Sequence, residues 1–208
     1  MKFVNQTNLV SGTIGSWIWN FGDNPPQGSN VENPIYLYDS VAIYTVTLNV
    51  IDDQLTSGLY GCSDSHQETV EIYALPKPSF ETNIACEGDI TVFTNTSTII
   101  NFPPNPTYHW NLNSFNGQWI GVSDSSSINP NYSFVGCDDN YPVTLTATDY
   151  LGCSDSITNY VQVYCNPIAS YLLGDIKCQR DSLHIMNDSY DDDGAPIYLW
   201  NWNFGVTA

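Results

Sequence analysis

The chain has 208 residues, with four Lys+Arg against 22 Asp+Glu and a formal net charge of −18. Such a surface repels phosphate backbones and anionic lipid, which excludes nucleic-acid binding and electrostatic membrane docking. Only 12% of residues are charged while 42% are apolar and 13% aromatic; that is too much core material for a disordered acidic tail, and no apolar run reaches the roughly 18 residues of a membrane-spanning helix.

In chain order, Lys2 to Thr7 and Trp17 to Gly22 open the pattern, and Trp17, Trp19 and Phe21 fall at every second position. Alternation of this kind predicts strands with one face buried and one wet. A turn-forming cluster with two prolines follows at Gly22 to Gly28, and then Tyr44, Val46, Leu48 and Val50 alternate with Thr45, Thr47 and Asn49. Gly61-Cys62-Ser63-Asp64-Ser65 and the Pro-bearing linker Leu75-Pro76-Lys77-Pro78 come next. Further strands are predicted at Ile90 to Thr96, Tyr108 to Leu112 and Tyr141 to Ala147, with turn clusters at Asn101 to Pro106 and Ser123 to Pro130. A second linker, Cys165-Asn166-Pro167, precedes Trp200-Asn201-Trp202-Asn203-Phe204-Gly205. No stretch carries a helical period.

The chain repeats itself. Trp17-Ile18-Trp19-Asn20-Phe21-Gly22 returns at Trp200 to Gly205, with a weaker copy at Tyr108 to Leu112. The central tryptophans are regularly spaced (110 − 19 = 91, 202 − 110 = 92). Gly-Cys-Ser-Asp-Ser at Gly61 returns at Gly152 (152 − 61 = 91), Tyr44 to Val50 matches Tyr141 to Ala147, and Ile90 to Thr96 is similar to Lys2 to Thr7. A period of this length holds about seven short strands, the size of an immunoglobulin-like sandwich. Trp19, Trp110, Trp202, Tyr44 and Tyr141 are expected in the cores.

Trp19-Asn20-Phe21-Gly22-Asp23, then Asn33-Pro34, Tyr36 and Tyr38, then Tyr44-Thr45-Val46-Thr47-Leu48 resemble the PKD domain. Cys86-Glu87-Gly88-Asp89 and the Gly-Cys-Ser-Asp motifs resemble the PKD arrays of very large surface proteins of gliding and adhesive Bacteroidota. The resemblance implies an all-β chain of tandem PKD-type (Ig-like) sandwiches: 1–75 lacking its first strand, 76–164 complete, and 165–208 the N-terminal half of a third. The chain is thus expected to be a segment of a longer one, its partners being neighbouring repeats and a surface polysaccharide or protein ligand. In the second copy Leu112 replaces the Phe and no Gly-Asp follows; in the third, Val206 stands where the Asp would be.

The six cysteines, Cys62, Cys86, Cys137, Cys153, Cys165 and Cys178, have no zinc-ligand spacing and read as an extracellular disulfide set. In Ig-like topology the corners holding Cys86 and Cys137 lie at one pole, which makes Cys86–Cys137 the leading pairing. Cys62 and Cys153 would reach corner cysteines outside the segment, and Cys165 and Cys178 would pair with each other or with the rest of the third repeat. The acidic turns Asp52-Asp53, Asp138-Asp139 and Asp191-Asp192-Asp193 read as solvated loops. Calcium is the one cofactor in question, with Asp23 and Asp191 to Asp193 as its places, although EF-hand spacing is absent. No nucleophile elbow or phosphate loop is present, and His66, His109 and His184 are scattered, so no enzyme activity is expected. The function expected is a stalk or spacer in a secreted or cell-surface adhesin or filament, gliding-associated and exported by the type 9 route. The alternative is a carbohydrate- or protein-binding accessory module of a secreted hydrolase, using Tyr60, Phe115, Trp119 and Tyr190.

Overall fold

A computed structural model of the chain describes residues 1–8, 13–53, 61–100, 105–113, 116–175, 178 and 181–205. These are all strand, turn or irregular, with no helix among them. The chain divides into two compact units, Met1–Ala74 and Leu75–Ala208.

In the first unit, β1 (Ile14–Asn20), β2 (Gly28–Ser29), β3 (Ala42–Asp52) and β4 (Ser63–Ile72) form an antiparallel sheet in the order β2-β1-β3-β4. Trp19 stands opposite Leu48 in the β1–β3 ladder. Alternation along β3 turns Tyr44 and Val46 inward and leaves Ile43 and Thr45 exposed. A second layer is made by residues 1–8 and 33–38, joined by a bridge between Lys2 and Ile35. Aromatic rings run through the space between the layers. Phe3 lies 5.6 Å from Trp19 and 5.3 Å from Phe21, Phe21 stacks on Tyr36 at 4.1 Å, and Tyr38 lies 4.2 Å from Tyr44. Such pairs add a modest stabilisation to the larger gain from burying ring area.

The second unit contains a complete sandwich. One sheet has the order β5-β7-β10-β9, from β5 (Phe80–Thr82), β7 (Ile90–Asn95), β9 (Gly117–Trp119) and β10 (Asn131–Phe134). The other has the order β6-β12-β11-β8, from β6 (Ala85–Cys86), β8 (Thr107–Asn111), β11 (Asp138–Thr148) and β12 (Ser154–Tyr164). Within three residues the chain leaves β5 in the first sheet and enters β6, which runs parallel to β12 in the second. Strand-switching of this kind closes the side of a sandwich. Its core is Phe80, Phe93, Trp110, Leu112, Phe134, Val143, Leu145, Val161 and their neighbours, all buried.

A β-hairpin, β13 (Tyr171–Leu173) with β14 (Ile185–Asn187), belongs to the same unit. It reproduces the start of the sandwich closely. Lys77 bridges Thr98 there and Ile168 bridges Tyr190 here; Ser97 bonds the backbone of Ser79, and Ser189 that of Ser170. The Phe80 ring meets Trp110 edge-on at 5.1 Å, and Tyr171 meets Trp202 edge-on at 5.9 Å. Two expectations fail in this stretch. Trp200 to Gly205 is not a strand, and Trp202, expected in a core, is 43% exposed, against 7% for Trp19 and 1% for Trp110. The reason is the ladder: β8, which carries Trp110, pairs with β11 along five positions, and no described strand lies beside 200–205 in that way. An indole is buried by a facing sheet, and among the described residues of this stretch β13 and β14 are the strands.

Candidate functional site

The motif after each central Trp is a turn device. The Asn20 side-chain oxygen accepts the Gly22 N–H at 2.9 Å, Asn111 accepts that of Asn113 at 2.8 Å, and Asn203 that of Gly205 at 3.0 Å. In every copy the residue so held has positive φ: 78° at Gly22, 51° at Asn113 and 60° at Gly205. Glycine enters that region without steric cost, and asparagine is the side chain that best tolerates it. Missing Gly in the second copy is therefore replaced by function. At Gly22 a Cβ would meet the Thr45 carbonyl oxygen at 2.4 Å, whereas the Asn113 amide donates to the matching carbonyl of Pro142 at 3.2 Å.

Asn33-Pro34 is equally mechanical. Asn33 Oδ1 accepts the N–H of Asn5 at 2.8 Å and the Pro34 carbonyl accepts that of Phe3 at 2.9 Å. Asn129 and Pro130 do the same for Asn95 and Phe93, at 2.8 and 3.0 Å. The second Asn-Pro pair went unread because its distance from the Trp differs between copies, although the dipeptide itself is in the sequence. Two tyrosine corners complete the set: Tyr44 Oη donates to the Ser40 carbonyl at 2.9 Å and Tyr141 Oη to that of Gly136 at 3.1 Å. These tyrosines, like Trp19 and Trp110, are buried.

The cysteines join differently from the expected Cys86–Cys137 bridge. Cys137 is bonded to Cys165, with Cα atoms 4.9 Å apart, within the span a disulfide requires. Cys86 lies on β6 beside Tyr164, so the residue that β12 delivers to the Cys137 corner is Cys165, the next one along. Cys62, Cys86, Cys153 and Cys178 form no bond within this chain, and with Cys165 bonded to Cys137 its expected pairing with Cys178 is overturned too. In the hairpins carrying Cys62 and Cys153, Asp52 Oδ1 accepts the Cys62 N–H at 3.0 Å, and Asp149 Oδ1 accepts those of Leu151 and Cys153, each at 2.9 Å.

The acidic clusters are engaged locally. Asp193 accepts the Cys165 N–H at 2.7 Å and lies 3.1 Å from its Sγ, so the 191–194 turn is tied to the disulfide. Asp191 Oδ1 accepts the Asp193 N–H at 2.9 Å. Cys137, Cys165 and Asp193 come within 4.8 Å of one another, but both sulfurs are spent in the disulfide. In the first unit Asp23 accepts the Gln27 N–H at 2.8 Å and a hydrogen bond from the Tyr36 hydroxyl. That hydroxyl holds the Asp23 carboxyl below its usual range, and the same bond pushes Tyr36 up to about 12. The side chains of Asp138 and Asp139 lie outside the described residues.

Of the proposed aromatic platform, Tyr60 and Phe115 lie outside the described residues. Trp119 packs on Tyr132 at 5.0 Å, against the core of the sandwich. Tyr190 is exposed at the Ile168 bridge. His109 is exposed on β8, His66 lies on β4, and His184 lies just before β14.

Residues 3–71 match the family model of the PKD domain. This is the first unit, whose Asn turn, Asn-Pro pair and tyrosine corner recur in the second, so PKD-type architecture describes the packing of both. No curated protein gave a match to the chain.

Proposed function

We propose that the chain is a structural repeat segment, a stalk or spacer in a secreted or cell-surface adhesin or filament, and that it performs no catalysis. One observation carries this reading. The repeated residues are those that hold shape: the same turn bonds follow Trp19, Trp110 and Trp202, and the same Asn-Pro pair and tyrosine corner fix the first two copies. The polar motif residues are occupied by backbone groups of their own copy, a use suited to a scaffold. The Cys137–Cys165 bridge suits an oxidising compartment and so supports an extracellular setting. Gliding-associated surface proteins exported by the type 9 route are the finer form of the proposal.

Pulling single chains from both ends tests it. A load-bearing segment gives discrete unfolding events for the two units, the second shortened until Cys137–Cys165 is reduced. Smooth extension without such events would contradict the stalk reading, as would saturable binding of a common polysaccharide on a glycan array, which favours the alternative of a carbohydrate- or protein-binding accessory module.

A further inference from the structure

Three ligand-bearing side chains of the second unit converge on one spot. Cys137 sits at the corner just before β11, Cys165 just past β12, and Asp193 in the turn that follows the β13–β14 hairpin. A sulfur from each cysteine and a carboxylate oxygen from Asp193 all lie within 4.8 Å of one another. Cys165 is largely buried, Cys137 half-buried and Asp193 exposed, so the group opens to water on one side. At the matching places the first unit has Val41, set by the tyrosine corner, and Ala74, set by the repeat (165 − 74 = 91).

A bridge between two sulfurs calls for no carboxylate, yet one is held there. Asp193 Oδ2 accepts the Cys165 N–H at 2.7 Å while Oδ1 stands 3.1 Å from the Cys165 sulfur. While bridged, that sulfur carries no proton, so the oxygen gains no hydrogen bond from it. The carboxylate is aimed by its own turn: Asp191 Oδ1 accepts the Asp193 N–H at 2.9 Å, and the Asp191 carbonyl accepts that of Gly194 at 3.0 Å. Hydrogen bonds of this kind orient metal ligands. In tetrahedral zinc sites Zn–S is about 2.3 Å and Zn–O about 2.0–2.2 Å, which puts neighbouring ligand atoms on the order of 3–4 Å apart. The separation of Asp193 Oδ1 from the sulfur already lies in that range. With Cα atoms 4.9 Å apart, side-chain rotation is enough to part the two sulfurs to it. Calcium, which takes oxygen ligands, is the wrong ion for such a set.

We propose that, with the bridge reduced, Cys137, Cys165 and Asp193 form a site for a thiophilic divalent cation, zinc by preference, with water as fourth ligand. A dithiol opens the bridge: it passes two electrons and two protons to the sulfurs and is itself oxidised to a disulfide. The cation then displaces the two thiol protons and binds both thiolates and the Asp193 carboxylate. In the reduced chain the ion ties together the same corner, strand end and turn that the bridge and Asp193 tie in the oxidised one. The proposal does not rest on the stalk reading.

Cobalt(II), whose thiolate complexes absorb, is the probe, added to the full chain with and without prior reduction by a dithiol that is then removed. The reduced chain should take up one equivalent more than the oxidised chain, with thiolate-to-cobalt charge-transfer absorption that zinc bleaches. Zinc should also raise the melting temperature of the reduced second unit. Cys137→Ser should lose that equivalent. Asp193→Asn should bind on the order of tenfold more weakly or worse, while its metal-free melting temperature stays that of the reduced parent, because the Asn oxygen still accepts the Cys165 N–H. Absence of the added absorption, its persistence in Cys137→Ser, or Asp193→Asn binding as tightly as the parent would each overturn the proposal, as would a reduced second unit that zinc does not stabilise.

Discussion

Replacing Trp110 by Ala removes the largest fully buried side chain of the second unit. The indole packs between Phe80 and Phe93, and its Nε1–H donates to the Ser127 carbonyl at 2.9 Å. Loss of the buried ring and the cavity left behind cost about 3–5 kcal/mol, and an abandoned carbonyl acceptor places the figure toward the upper end. At about 3–5 °C per kcal/mol for a unit of this size, its melting temperature should fall by roughly 10–25 °C. Trp202→Ala is the internal comparison: with 43% of its surface exposed and Tyr171 its edge-on partner at 5.9 Å, it should cost only about 1 kcal/mol. Scanning calorimetry of the two variants beside the parent chain decides it. Equal losses, or an unchanged transition in the Trp110 variant, would refute the placement of the core.

Reduction of Cys137–Cys165, or Cys137→Ser, should lower the stability of the second unit by about 2–4 kcal/mol, while Cys62→Ser should leave both transitions in place; denaturant titration with and without reductant reads both. Gly22→Ala should destabilise the first unit by more than about 1 kcal/mol, since both its φ of 78° and the Thr45 carbonyl oppose a side chain; Asn113→Gly should be close to neutral by the same measurement. The Asp23–Tyr36 bond has two titration limits. Because the Asp23 pKa is lowered on folding, its contribution is present above the ordinary carboxylate pKa and is lost as pH falls through the folded value. Because the Tyr36 pKa is raised to about 12, its contribution is intact below the ordinary value of 10.0 and fades as pH rises from there toward 12. A pH series of melting curves should show both losses in the parent chain, and in Tyr36→Phe no alkaline loss from this bond and a smaller acid loss, since the Gln27 N–H still bonds Asp23; identical profiles would contradict the bond.

Alternation made the strands legible because burial in a sandwich follows the two-residue period of the backbone, and Tyr44, Val46, Leu145 and Val143 face inward as their spacing requires. Trp19 and Trp110 were legible for the same reason. Trp202 was not, because the sequence shows which residues share a face and does not show whether another sheet covers it. The Asn turns were not legible, because residue type alone does not show that the side-chain oxygens of Asn20, Asn111 and Asn203 hold a left-handed residue two positions on. Cys137 was placed at the correct corner, but its partner depends on a one-residue difference between Cys165 at the end of β12 and Cys86 on the strand beside it. That difference is a matter of register, which the spacing of cysteines does not encode.

Oxidative footprinting of the native chain, read at each tryptophan by mass spectrometry, tests most directly that one indole-centred architecture is built twice. Trp19 and Trp110 should react slowly and together, and far more slowly than Trp200 and Trp202. Labelling of Trp19 or Trp110 at the rate of Trp202 would contradict it.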